Sequence, residues 1–273
     1  MTAIRSAIQP AIRAAISGVY GSSSAWSPLT LFAASEVGVW YDPSDFSTMF
    51  QDSAGTTPVT ADGQPVGKIL DKSGRGNHAT QATAAKRPVY KTSGGLHWLQ
   101  FDGSNDGMAT SSTVDFTGTD EVSLCIGIRK SSDAAAGTVV ELSADASANA
   151  GAFILRAPRT ATSDFGWFSK GTLLGDNAIP GYAAPISAVV TALGKISTDN
   201  GNARVNGVLD TDTDDQGTGN YGNYTLYVGR RGGTTLPFNG NIYSLVIRNR
   251  LLTAAEVANI ERYTAAKTGV VTF

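Results

Sequence analysis

"FNGNIYSLVIRNRLLTAAEV", residues 238–257, passes from one kind of secondary structure to another. Asn241 to Asn249 is short, apolar and β-branched, bounded by Asn and Gly, and reads as a strand. From Thr253 the pattern changes. Thr253 can cap a helix and Glu256, three positions on, completes a capping box. The stretch "TAAEVANIERYTAAKT" (253–268) then runs as a helix that Gly269 can close.

Working back through the chain, the strand half of this signal recurs and the helix half does not. "VGVWYD" (37–42), "LHWLQFD" (96–102), "EVSLCIGIRK" (121–130), "GAFILRA" (151–157), "FGWFSK" (165–170), "ISAVVTALG" (186–194), "ARVNGVL" (203–209) and "YTLYVGR" (224–230) are short and rich in β-branched or aromatic residues. Clusters of Gly, Asn, Asp and Ser separate them. Many strands with few helical periods between them predict an all-β fold, an antiparallel sandwich or barrel, in place of βαβ units. The other exception is the N-terminus, where Ala-Ile repeats every four residues through Ile4, Ile8, Ile12 and Ile16. That spacing predicts an apolar stripe on a short helical segment interrupted at Pro10, followed by the linker "GSSSAWSP" (21–28). The expected division is therefore an N-terminal helical anchor and linker over 1–28 and a sandwich over 29–273.

Composition narrows the chemistry. A net charge of −2 with 16% charged residues offers no basic stripe for nucleic acid. No apolar run reaches the length of a membrane span, and Arg5, Pro10 and Arg13 break the N-terminal segment where a signal peptide needs a continuous apolar core. With a single cysteine, Cys125, no internal disulfide can form, and its strand context predicts a small packed hydrophobe.

The loop "LDKSGRGNHATQ" (70–81) tests three catalytic readings and supports none. Gly74-x-Gly76-x-x-Ala79 matches a relaxed dinucleotide fingerprint, but Arg87-Pro88 leaves too little helix to meet a pyrophosphate. No Gly-Lys-Ser/Thr follows for a phosphate loop, and no Gly-x-Ser-x-Gly elbow supplies a nucleophile for His78. Two histidines and one cysteine do not make the usual zinc set, so His78 reads as a turn residue and His97 as a strand-surface residue. A glycosidase needs paired carboxylates. The five glutamates are scattered, and Glu141 has no acidic residue two positions away. Asp210, Asp212 and Asp214 open like a calcium loop but lack its glycine and terminal glutamate, and read as a hairpin tip.

Several fragments together carry a family resemblance. "SGRGNHAT" (73–80), "LQFDGSNDGMAT" (99–110), "RVNGVL" (204–209), "YVGRR" (227–231) and the opening stretch follow the order seen in laminin-G-like domains. The chain resembles these concanavalin-A-like jelly rolls over residues 37–265. The resemblance implies an antiparallel β-sandwich with a short N-terminal helical segment and a short C-terminal helix. It also makes 70–81 a turn after an early strand. Because calcium in that family is held by loop oxygens at strand ends, Asp102, Asn105 and Asp106 become the expected ligands of any bound calcium. The run from Tyr41 to Tyr90 further resembles the version of the fold in virion proteins of tailed bacteriophages.

That implies a non-enzymatic structural protein, made in the host cytoplasm and carried on the virion as a head decoration, fibre or tail component. Its partners would be other virion subunits, including copies of itself, gripped by the isoleucine stripe. The competing expectation is a carbohydrate-binding module for a host-surface glycan. Sugar sites pair aromatic platforms with polar groups, and "DFGWFSK" with "GNYGNYTLYVG" nominates Trp167, Tyr221 and Tyr224.

Overall fold

A computed structural model describes residues 26–34 and 36–271; the isoleucine stripe of Ile4, Ile8, Ile12 and Ile16 lies outside the described residues. Two antiparallel sheets face each other. The first runs β16 (Val208–Asp210), β15 (Asn200–Val205), β14 (Ile186–Lys195), β9 (Glu121–Lys130), β19 (Asn239–Arg248), β6 (Leu96–Asp102) and β5 (Val89–Ser93), with β1 (Gly38–Tyr41) also paired to β19. The second runs β13 (Leu174–Ile179), β12 (Phe165–Lys170), β11 (Ala152–Arg156), β10 (Thr138–Leu142), β18 (Leu226–Val228), β7 (Met108–Thr110), β4 (Ala79–Thr80), β3 (Lys68–Ile69) and β2 (Met49–Phe50). A separate pair joins β8 (Val114–Asp115) to β17 (Asn223–Tyr224).

Side chains alternate across these strands and build two layers of core. Leu124, Ile126 and Ile128 of β9 point between the sheets, where they meet Ile242, Leu245 and Ile247 of β19 and Phe153, Leu155 and Trp167 of the second sheet. On the opposite face of the first sheet, Cys125, Val189 and Val246 receive the helix α1 (Ala254–Thr268) through Val257, Ile260 and Ala265. The capping box at Thr253 and Glu256 is formed, and Gly269 ends the helix in the left-handed conformation, as the sequence predicts. Helix and sheet approach most closely at Gly127, where a Cβ would stand 2.3 Å from the Thr268 methyl and 3.0 Å from that of Thr264. Beside it the Cys125 thiol is fully enclosed, and burial pushes its pKa up to about 12, the behaviour of a packed residue.

The 3-10 turn Pro28–Phe32 buries Leu31 and Phe32 in this same layer, and Trp26, assigned to the linker by sequence, meets Tyr263 of α1 edge to face. The loop at residues 70–81 is a turn held by one side chain. Asp71 accepts backbone N–H bonds from Trp40, Ser73 and Asn77, Gly74 and Gly76 take positive φ, and His78 Nδ1 accepts the Asp71 N–H. The segment 203–209 is a hairpin, the form that the family resemblance at "RVNGVL" (204–209) implies. Asn206 and Gly207, both at positive φ, turn β15 back into β16.

Candidate functional site

The aromatic residues nominated from sequence do not form a platform. Trp167 is 0% exposed and lies 5.7 Å from Phe153 in the intersheet core. Alternation along β12 puts it on the inward face with Phe165. Tyr221 is also buried, its hydroxyl 2.6 Å from Ser169 Oγ. Tyr224 is half-buried, and its hydroxyl donates to the Ala150 carbonyl. A sugar cannot stack on Trp167 or Tyr221, so the expected trio is corrected.

The Asp102–Asp106 loop closes on itself. Asp102 Oδ1 accepts the N–H groups of Ser104, Asn105 and Asp106, and Asp106 Oδ2 accepts the N–H of Asp102. The Arg230 guanidinium donates to the Asn105 carbonyl at 3.1 Å, bringing a positive charge where a cation would need room. Calcium takes six to eight oxygens. Among the described residues no group of three or more carboxylates, histidines or cysteines stands ready for a metal. Asn105 Oδ1 is buried without a partner, but the side-chain oxygens this loop leaves open fall short of the six to eight that calcium takes.

Burial, followed by the Asp102 charge, raises the Asp106 carboxyl to about 6. Its folded pKa lies above its ordinary value of 3.8, so the contribution to stability is complete below that value and is lost as pH rises through about 6. Asp106→Asn keeps the acceptor and removes the charge. It should stabilise the fold at pH 7 by about 1–2 kcal/mol and flatten the pH dependence between 4 and 6. Urea melts across that range check this, and a stability loss at pH 7 would contradict it.

Trp98 lies on the outer side of the first sheet, beyond the C-terminal end of α1. Trp98 is half-buried and packs on Tyr243 with ring centroids 5.5 Å apart. One row further along, Gln100, Asn241, Arg129 and Ser187 pair in register across β6, β19, β9 and β14, all on the outer face. At the usual strand spacing this row runs about 14 Å. Among the described residues, none of these four side chains hydrogen-bonds to the protein. An aromatic surface beside the exposed Gln100 amide and the half-buried Arg129 guanidinium and Ser187 hydroxyl can stack on a sugar ring and bond its hydroxyls; Asn241, in the same row, is buried. The sequence signal for it is the alternation in "LHWLQFD", which sends Leu99 and Phe101 inward and Trp98 and Gln100 outward. His97, expected on the strand surface, instead turns to the core side, where Nδ1 lies 2.6 Å from the Tyr90 hydroxyl and the ring meets Phe46.

The glutamates are committed to ion pairs. Glu36 meets Arg248, Glu121 meets Lys195, Glu141 meets Arg231, Glu256 meets Arg250 and Glu261 meets Arg204. Glu141, tested from sequence as an isolated candidate acid, is completely buried; burial raises its pKa while Ala146 N–H and Arg231 bind its two oxygens.

Two facing antiparallel sheets, closed by a C-terminal helix on one face, define a lectin-type jelly roll. Residues 102–258, more than half of the chain, match the concanavalin A-like lectin/glucanases superfamily (Laminin_G_3), and the chain belongs to that family. No curated protein matches the sequence. Solved structures of similar fold include the binding domain of botulinum neurotoxin serotype G, at 12% identity and a TM-score of 0.56 over 72% of this chain and 49% of that one. The serotype D ligand binding domain in complex with N-acetylneuraminic acid has the same identity and TM-score over 87% and 53%. The Trypanosoma rangeli sialidase in complex with the inhibitor DANA follows at 12% identity and a TM-score of 0.52, over 84% of this chain and 33% of that one. The chain thus spans about half, or a third, of these proteins, and the likeness is one of fold.

Proposed function

We propose that the chain is a non-enzymatic jelly-roll module of a tailed-phage virion that binds a surface glycan along the open face of its first sheet. The observation that carries the binding half is Trp98 beside the in-register row of Gln100, Asn241, Arg129 and Ser187. Family membership supports it, as does the fold shared with a neurotoxin domain crystallised with N-acetylneuraminic acid. The virion setting is supported by the sequence resemblance over residues 41–90, with residues 1–28 as the attachment. The pairing of all five glutamates favours a role without glycosidase chemistry.

A panel of host-envelope polysaccharides immobilised on a surface tests the reading. The full chain should bind at least one and hydrolyse none. Trp98→Ala should weaken that binding about tenfold, in line with the ~1.5 kcal/mol a stacked aromatic can supply, while the melting temperature stays close to wild type. Removing residues 1–20 should leave binding intact and abolish incorporation into particles. Unchanged affinity in Trp98→Ala would remove the face from consideration.

A further inference from the structure

A groove runs between α1 and the β15–β16 hairpin on the outer side of the first sheet. Two adjoining cavities of about 470 and 400 Å³ make it up, with Arg204, Ala258 and Glu261 common to both. The Arg204–Glu261 ion pair, made through two nitrogens, crosses it from strand to helix. Its walls are apolar: Leu193, Val208 and Leu209 on the sheet, Leu252, Val257 and Ala258 on and just before the helix. Leu209 stands opposite Arg204 in register and therefore on the helix side of β16. Val208 is 64% exposed and Leu209 50%, although β16 is an edge strand of the first sheet. Edge strands are normally blunted by charge or covered, and two adjacent large apolar side chains at an edge call for a cover.

The chain carries a segment of matching chemistry. Residues 1–25, which precede Trp26, hold Ile4, Ile8, Ile12 and Ile16 and bear Arg5 and Arg13 with no Asp or Glu. The rim of the groove has the opposite charge. Asp210, Asp212, Asp214 and Asp215 follow Leu209, and the Asp212 N–H donates to Asn202 in the groove wall. Burial, then the charges of Asp214 and Asp176, raise the Asp212 pKa, so a cation brought to this loop is favoured. Arg262 on the helix rim is outnumbered by the four carboxylates. Size and reach agree as well. Ala254 to Arg262 spans about 12 Å of helix, and Ile12 and Ile16, one helical turn apart, would span about 6 Å. Trp26 rests on Tyr263 of the same helix. The stretch from Ile16 to Trp26 reaches up to ~33 Å when extended, about three times the width of the helix it must cross.

We propose that in the free protein residues 11–16 of the same chain dock in the groove between α1 and the β15–β16 hairpin, Ile12 and Ile16 against Leu209 and Ala258, Arg13 toward the Asp210–Asp215 loop. A tether of this length holds the segment at an effective concentration on the order of millimolar, which favours its own groove over that of another copy. The proposal concerns the protein before any attachment and does not rest on the virion reading. Capture of the segment by a particle would compete with the groove.

Limited digestion of the full chain with trypsin tests it, the cuts after Arg5 and Arg13 being followed by mass spectrometry. Arg13 belongs to the docked half of the segment and Arg5 lies outside it. The cut after Arg13 should be about tenfold slower in wild type than in Leu209→Asp or Ile16→Ser, because cleavage follows the undocked population. The cut after Arg5 should proceed at one rate in all three, and the rate after Arg13 should be the same across a wide range of protein concentration. Equal cleavage after Arg13 in wild type and in a folded Leu209→Asp overturns the proposal. So does equal cleavage in Ile16→Ser, whose change lies outside the sandwich and keeps the test decisive should Leu209→Asp fail to fold. Protection that grows with protein concentration, together with oligomers in sedimentation, overturns it in favour of a neighbouring copy. Neither glycan binding nor particle incorporation enters the measurement, so its failure leaves the proposed function standing.

Discussion

Trp167→Ala is expected to destabilise the protein by about 3–5 kcal/mol, the cost of emptying a large aromatic site in a packed core. The side chain is fully enclosed, tilted against Phe153, and flanked by Phe165 on its own strand. The neighbouring side chains hang from paired strands of the second sheet and cannot collapse far into the void. For a chain of this length the loss corresponds to a fall in melting temperature on the order of 10 °C. The contrast with Trp98 is the useful measurement. At a temperature where both variants are folded, Trp167→Ala should retain glycan affinity and lose stability, whereas Trp98→Ala should do the reverse. Loss of affinity at unchanged stability in Trp167→Ala would place the ring in a binding surface and contradict its burial.

Arg231→Met should cost a similar amount, about 3–5 kcal/mol at neutral pH, because it strands a carboxylate with no exposure to solvent. Glu141 then keeps only the N–H of Ala146. The effect carries a pH signature. Burial already raises the Glu141 pKa above its ordinary value of 4.5, and removing the cation raises it further. A carboxyl with a raised folded pKa is least harmful when protonated in both states. The gap between wild type and variant should therefore be widest near pH 7 and close as pH falls below about 4. Glu141→Gln placed on Arg231→Met should recover much of the loss at pH 7. A gap of equal size at both pH values would mean that Arg231 acts by filling space alone.

The parts of the fold legible in sequence are those fixed by local chemistry. A threonine and a glutamate three apart make a capping box wherever the helix lands, and Asp71 organises its turn through amides within a few residues. Long alternating strands such as β6 and β9 are equally plain. What stayed hidden depends on partners distant in sequence. The two-residue strands β2, β3 and β4 are shorter than any periodic window. The strand β13, "LGDNAI", is poor in strand-forming residues and is held by pairing with β12. The misplaced aromatic trio has the same origin. Both faces of β12 are covered, so alternation groups Trp167 with Phe165 without telling which face is open. Nor does a sequence show that Asp102 Oδ1 is already taken by the amides of its own turn.

Trp26 and Val270, at the two ends of the described chain, both rest on the layer formed by α1, on the outer side of the first sheet. Entry and exit on one side give the sandwich a polarity. A tether at either end would hold the molecule by its helical side, and the outer face of the second sheet would point away from whatever holds it. Tension between the ends would first load the contacts among Trp26, Tyr263 and α1, a thin outer layer that could peel, while the interleaved side chains between the sheets carried little of the force.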